Sequence, residues 1–436
     1  MKKLAVLLVT LFLPLQAWAV NVERVVSPAG IEAWLVQDHS NPVVSLRLTF
    51  AGGSELDPAG KSGLANLAAS TMDEGADDMD SQAFQQILAD QSITLRFSAG
   101  LDRFGGQVKT LTENLDQSID LLRLALTEPR FDKEPVARLK SQIIAGIRAS
   151  SENPGKLAYN ALFATFFPDH GYARDSDGTV DTVATLGPDD LRHFVRTRFA
   201  RSNLVVGVVG DITPKRLGGL LDKAFGALPE NPAARLDDDV QPKSTGRLQV
   251  IERDIPQSTI VFGHGGLKRD DPDYYVALVM NNILGGGTFT SRLYDQVREK
   301  RGLAYSVGSS LYPLDHAGLM VGSAATENAR VSETIKVIRA EWTRMAAGEL
   351  DAQDVNDAKT YVSGSFPLTF TSTDAIARVL VAMQVNKLGI DYLDKRNAYI
   401  GAVSLDDVKR VAAKVLRPSQ LDIVVVGKPT GIVPSL

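Results

Sequence analysis

The chain of 436 residues contains no cysteine. That excludes disulfide staples, cysteine-ligated metal sites and lipidation at a thiol. Histidine is scarce: the five are His39, His170, His193, His264 and His316, and no two stand in an H-x-x-x-H or H-x-x-E-H spacing. A helical pair of zinc ligands is therefore missing. No G-x-S-x-G occurs, and Ser363 in SGSF reads as part of a polar helix break rather than a nucleophile. The only GK[ST] is Gly60-Lys61-Ser62, and Glu55 stands where a phosphate loop needs its leading glycine. The acidic stretch Asp73 to Asp80 (DEGADDMD) lacks the twelve-residue calcium pattern and reads as solvated surface. Basic residues are not in excess either, with 47 Lys and Arg against 52 Asp and Glu and a net charge of -5. With no basic patch interleaved with aromatics, nucleic-acid binding is not expected, and a protein or peptide partner is.

Beyond the N-terminus no apolar run approaches the length of a membrane span. The N-terminus itself reads MKKLAVLLVTLFLPLQAWAV. Lys2 and Lys3 precede an apolar run interrupted by Thr10 and Pro14, and Ala17-Trp18-Ala19 fits a small-x-small cleavage site. Residues 1–19 are expected to be a cleaved signal peptide, which places the mature chain in the periplasm with no stable membrane insertion.

What the chain does contain is a repeat. Asp189 to Gly210 reads DDLRHFVRTRFARSNLVVGVVG, and Asp406 to Gly427 reads DDVKRVAAKVLRPSQLDIVVVG, aligned without a gap at an offset of 217 (189 to 406). Each runs from an amphipathic helix into a β-branched strand that ends in glycine. Leu115 to Leu126 and Val331 to Trp342 echo one another near the same offset. Duplication of an α+β domain follows, with residues 20–228 and 246–436 as the halves. Residues 229–245 (PENPAARLDDDVQPKST), rich in Pro and Asp, form the linker. In the first half, strands are expected at Glu23 to Val36, Val43 to Phe50 and Thr94 to Gly100. Helices are expected over Gly60 to Thr71, Asn114 to Glu128 and Lys133 to Ser150. Each half then has an antiparallel sheet with helices on one side.

One segment concentrates chemistry: GGGTFTSRLYDQVREKRGLAY, Gly285 to Tyr305. Phe289, Leu293 and Val297, four apart, predict the inward stripe of a helix. Gly302 is placed to end it in a left-handed turn, and Leu303, Tyr305 and Val307 alternate as in a strand. Such a reversal brings Arg298 near Tyr305. Two readings stay open on spacing alone. The guanidinium fork and the phenol grip a peptide carbonyl or carboxylate, or Arg298 serves the helix C-terminus and Tyr305 fills the core.

GGGTFTSRLYDQVREKRGLAYSV resembles the C-terminal-domain signature of the insulinase/pitrilysin family of zinc peptidases, which includes the mitochondrial processing peptidases and two-subunit bacterial relatives. AGGSELDPAGKSGLANLAASTMDEGA (Ala51 to Ala76) and FFPDHGYARDSDGTVDTVATLGPDDLRHFVRTRF (Phe166 to Phe199) carry the resemblance across the mature chain. It implies two homologous α+β domains in a clam-like arrangement, and a substrate-positioning role for Arg298 and Tyr305. It also implies an inverted H-x-x-E-H, and here the sequence departs. The matching positions read Asn66-Leu67-Ala68-Ala69-Ser70, so both histidines and the general base are replaced. The third ligand would fall at Ala145 or Gly146; Glu152 is nearby but out of place. The expectation is a chain with no catalytic residue and no metal of its own. It would be the substrate-positioning subunit of a heterodimeric zinc metalloendopeptidase, with zinc in a homologous partner. The alternative is a catalytically inactive peptide- or protein-binding module, homodimeric in one form.

Overall fold

The computed structural model describes residues 21–235 and 238–434; the expected signal peptide lies outside them. Among these described residues, eleven strands form two sheets. In the first half they are β1 (Glu23–Val26), β2 (Glu32–Gln37), β3 (Val43–Ala51), β4 (Thr94–Ala99), β5 (Arg103–Leu111) and β6 (Leu204–Gly210), arranged β1-β2-β6-β3-β5-β4. In the second half they are β7 (Leu248–Glu252), β8 (Gln257–Gly265), β9 (Ala304–Pro313), β10 (Gly318–Glu327) and β11 (Asp422–Gly427), arranged β7-β11-β8-β10-β9. Apart from the additional β1, the two orders are the same, so the sequence repeat is a structural one. The α+β class with two homologous sheets is as expected. The sheets are not purely antiparallel, because β2 pairs with β6, and β7 with β11, in parallel.

Strand alternation builds each core. In the first sheet Leu46, Leu48, Phe50, Val206, Val208 and Leu35 point to one face, beneath the half's own helices. These include Leu64–Thr71, Leu115–Thr127, Pro188–Arg198 and Pro214–Phe225. The opposite face is covered too, contrary to the one-sided packing expected. Trp34, Val36 and Val209 are buried there under Ala377, Leu380 and Met383, which belong to the helix Thr373–Val385 of the second half. The second sheet is treated reciprocally. Val261, Leu319, Val321, Val424 and Val426 are buried under Ala158, Leu162 and Phe166, from the helix Pro154–Phe166 of the first half. The two helices are a matched pair of 13 residues each, offset by 219 at both ends (154 to 373, 166 to 385). Each half thus lends the other a helix.

Polar pairs and a glycine seat this exchange. Arg47, on the non-core face of β3, gives a bidentate pair of 2.8 Å hydrogen bonds to Asp374, and the Ser45 and Thr373 hydroxyls are 2.8 Å apart. Gly207 in β6 lies so close to the incoming helix that a Cβ there would sit 2.8 Å from the Ala377 carbonyl oxygen. The stretch 229–245 carries no helix or strand among its described residues, but it is laced to the body. Backbone N–H groups of Val240 and Lys243 donate to His316 and Phe166 carbonyls at 2.8 and 2.9 Å. Among the described residues no helix is long and apolar enough to cross a membrane.

Leu380→Ala, at a fully buried site, is expected to cost about 2–5 kcal/mol. Although Leu380 belongs to the second half, hydrogen exchange should quicken in β3 and β6 of the first sheet. Loss of protection confined to the second half would contradict the exchange.

Candidate functional site

The Gly285–Tyr305 segment is more broken than its periodicity suggests. Residues Asn282–Gly286 form a π-turn, Thr288–Thr290 a 3-10 turn, and Tyr294–Glu299 a second π-helical stretch. Thr288 adopts a positive φ of 47°, which interrupts any continuous helix before Ser291. Leu293 and Val297 are buried as expected, but Phe289 is 72% exposed. The inward stripe therefore lacks its first member, because the 3-10 turn puts Phe289 off the helical register. Gly302 does end the helix in the left-handed region, at φ 57°, and its N–H donates to the Arg298 carbonyl at 2.8 Å.

This reversal brings Arg298 and Tyr305 together. The guanidinium carbon lies 4.9 Å from the centre of the Tyr305 ring and 4.8 Å from that of Tyr294. The cation is held between two aromatic faces, and Phe289 adds an edge-to-face contact on Tyr294 at 5.1 Å. Its closest charge is Glu299, 3.9 Å away, and among the described residues its N–H donors make no hydrogen bond. Tyr305 is 81% exposed, so it does not fill the core. A guanidinium fixed by stacking, with donors free at its rim and a phenol beside it, is suited to bind a carbonyl or carboxylate oxygen. Tyr294, the second slice of this stack, was not singled out in the sequence. It stands four residues before Arg298, a spacing that brings two side chains together on one helix face.

The degenerate metal positions lie on the helix Leu64–Thr71. Ala69 is buried, and Asn66 and Ser70 are half-buried. The Ser70 hydroxyl donates to the Asn66 carbonyl within the helix at 2.9 Å. Ala145 and Gly146, at the third-ligand positions on the helix Lys133–Ser150, are exposed. Glu152 instead pairs with Arg253 at 3.1 Å. An amide, a methyl and an internally bonded hydroxyl do not fit zinc, which takes thiolate, imidazole or carboxylate ligands. No cluster of three or more potential ligand side chains occurs among the described residues.

The other flagged residues have structural roles. His264 is fully buried, accepting from the Trp342 indole at 2.8 Å and donating to the Gly265 carbonyl at 2.7 Å; burial lowers its pKa to about 4. His39 pairs with Asp211 at 2.6 Å, and His193 sits on the outer face of its helix. The His170 ring accepts the Tyr172 N–H at 3.1 Å, and His316 is 3.9 Å from Asp239. Asp190 caps the helix Pro188–Arg198 by accepting from Gly187 N–H at 3.0 Å. Ser363 lies inside the helix Ala352–Ser365, so the expected break comes two residues later. The acidic stretch is only partly solvated: burial pushes the Asp73 carboxyl up to about 6.

The loop that leads into the degenerate helix carries the least expected chemistry. Arg198 donates to the Gly53 and Leu56 carbonyls at 2.6 and 2.7 Å, and Arg174 to the Glu55 carbonyl at 2.6 Å. Asp57 accepts from Gly63 and Ala65 N–H groups at 3.1 and 3.2 Å, holding the start of the helix. Glu55 is 1% exposed; one carboxyl oxygen accepts from Gly53 N–H at 2.9 Å and the other has no hydrogen-bond partner. Burial, with Asp102 nearby, pushes its pKa up to about 8. Because the folded state binds this proton more tightly than the unfolded one, the associated stability is full below about pH 4.5 and is lost as pH rises toward 8. Glu55→Gln is therefore expected to raise the melting temperature at pH 8 and leave it nearly unchanged near pH 4.5. A pH-independent difference in thermal denaturation would contradict a buried protonated carboxyl.

Comparison with known proteins gives a consistent picture. Residues 33–179 match the family described as "Insulinase (Peptidase family M16)", and residues 185–362 that described as "Peptidase M16 inactive domain". An uncharacterized zinc protease of Streptomyces coelicolor is 30% identical over 358 residues, covering 74% of this chain and 75% of its own. A protein of Helicobacter pylori called a non-peptidase homolog is 27% identical over 374 residues, covering 84% and 85%. Among solved structures, a peptidase M16 inactive domain from Pseudomonas fluorescens superposes with a TM-score of 0.87 at 28% identity, over 94% of this chain and 98% of that one. A Helicobacter pylori protease shares the fold at a TM-score of 0.83 and 19% identity, over 93% and 99%.

Proposed function

Because the chain belongs to the insulinase family, peptidase M16, and lacks a metal-binding side chain at each motif position, we propose that it is the substrate-positioning, non-catalytic subunit of a two-chain zinc endopeptidase. The observation that carries this reading is the stacked Arg298. A surface guanidinium immobilised between Tyr294 and Tyr305, with its donors unspent, is more organised than helix capping requires. The helix that would bear the metal holds Asn66, Ala69 and Ser70 instead. A partner of the same fold with a complete H-x-x-E-H would supply zinc, which polarises the scissile carbonyl and activates water. This chain's share is to hold the peptide. Arg298 donates to a substrate carbonyl or carboxylate, and Tyr305 orients it. Supporting the non-catalytic part are the relative called a non-peptidase homolog and the chemistry of the replaced residues. Residues 1–19 support a periplasmic location, which N-terminal sequencing of the soluble envelope fraction checks: the mature chain should begin at Val20.

A second reading is peptide capture without hydrolysis. The edges β4 and β9 favour it, since each has a single strand partner and one free side for backbone pairing. The readings separate on mixing. The first requires peptidase activity that appears only when the zinc-bearing chain and this one are combined; the second requires binding with none.

Arg298→Ala is expected to lower turnover by the combined chains about 10²-fold or more, as loss of a positioning donor does elsewhere, with little change in melting temperature. Tyr305→Phe isolates the hydroxyl while preserving the stack, and a smaller drop in turnover is expected. Full activity of both variants would return the pair to a structural role. Installing Asn66→His, Ala69→Glu and Ser70→His together is expected to give weak zinc binding and no turnover by the isolated chain. The third carboxylate and the groups that orient each imidazole are missing. Zinc-dependent cleavage by that triple variant alone would contradict this.

A further inference from the structure

The two sheets end against one another. The β4–β5 turn and its counterpart, the β9–β10 turn, meet at the junction of the halves, where Asp102 accepts from Asp315 N–H at 3.2 Å and Arg103 pairs with Asp315. Beside this contact is a cavity of about 350 Å³. One wall is Tyr159 and Phe163, a turn apart on the exchanged helix Pro154–Phe166, whose opposite face is buried in the second sheet. Tyr312, near the end of β9, also lines the cavity, its ring packed edge-to-face on Phe163 with centres 5.9 Å apart. Leu101 and the buried Tyr172 also line it; Tyr172 is fixed by its hydroxyl to Asp102. Tyr159 and Tyr312 are 37% and 39% exposed, so aromatic surface remains in contact with solvent.

The polar groups at this cavity are largely spoken for. Asp175 is held by Lys156 at 3.2 Å and by the Asn160 amide at 2.8 Å. The Arg174 head group is engaged by the Glu55 carbonyl. The Arg174 Nε has no hydrogen-bond partner but is itself buried, and the partly exposed rings of Tyr159 and Tyr312 give the cavity an aromatic surface. The volume is at the lower end for ligand pockets, which fits one large side chain better than a folded partner. Location supplies the rest. Gly100, next to the end of β4, and Tyr312, in β9, both line the cavity, and these are the free-edge strands of the two sheets. A chain pairing with either edge runs to its mouth, with alternate side chains pointing to the same side.

We propose that this cavity is a subsite for a single aromatic side chain of an extended peptide. This rests on the peptide-handling reading above and adds a sequence preference to it. The ring would join the aromatic lining formed by Tyr159, Phe163 and Tyr312, where offset or edge-to-face contacts are favourable.

The test is fluorescence anisotropy with the mature chain and two short labelled peptides of alternating Thr and Val, one with a central Phe and one with Ala in its place. The Phe peptide should bind about ten-fold more tightly, a difference within reach of one aromatic contact. Tyr159→Ala and Tyr312→Ser, both at partly exposed positions, should each reduce that preference several-fold without weakening the Ala peptide. Equal binding of the two peptides by the unaltered chain overturns the subsite and leaves peptide capture standing. A preference that survives both substitutions also overturns it, by placing the aromatic contact elsewhere. Absence of binding by either peptide overturns the subsite together with the reading beneath it.

Discussion

Each sheet in this molecule is apolar on both faces, and neither half can cover both by itself. That constraint governs the architecture. The helices Pro154–Phe166 and Thr373–Val385 leave their own halves and lie on the sheet of the other. Burying Val424 and Val426 against Leu162, or Val209 against Leu380, removes from water surface that would otherwise be an adhesive patch. The two halves consequently behave as one packed object. The linker adds lacing, but the exchanged helices carry the union.

The exchange also fixes the geometry of the junction. With the sheets docked reciprocally, the equivalent turns after β4 and β9 come into contact, and acidic groups from both gather there. Tyr172 and Glu55 are buried there with Asp102 half-buried beside them, and desolvation raises the pKa of each. Such groups are costly as anions and tolerable as neutral donors. The loop Gly53–Asp57, held by Arg174 and Arg198, transmits this arrangement to the start of the helix bearing Asn66, Ala69 and Ser70. That helix is thus well anchored at its N-terminal end.

At the other end of the reading, Arg298 is ordered without being consumed. Stacking between Tyr294 and Tyr305 restricts a long side chain that would otherwise lose conformational freedom on binding a ligand. The rings hold the guanidinium by its faces and leave its rim available. The nearest carboxylate, Glu299 at 3.9 Å, is beyond hydrogen-bond reach and leaves those donors unoccupied.

Much of the fold was legible in the sequence because it depends on local periodicity. The repeat of Asp189–Gly210 in Asp406–Gly427 follows from residue pattern alone, as do the alternating strand Val43–Phe50 and the helix Lys133–Ser150. That Asn66, Ala69 and Ser70 offer zinc no imidazole, thiolate or carboxylate was equally plain, since ligand chemistry resides in side-chain identity. Gly302 marked its own left-handed turn because its φ is one that side chains with a Cβ avoid. Tertiary structure alone decided the rest. A four-residue spacing assigned Phe289 to the core, but the positive φ of Thr288 and the 3-10 turn it opens moved it to the surface. The run LVVGVVG is apolar at both parities, which declares that both faces of β6 are buried but not what buries them. That covering helix lies more than 160 residues further along the chain (210 to 373). Local sequence fixes which surfaces must leave water; only the docking of distant segments determines which surface each one meets.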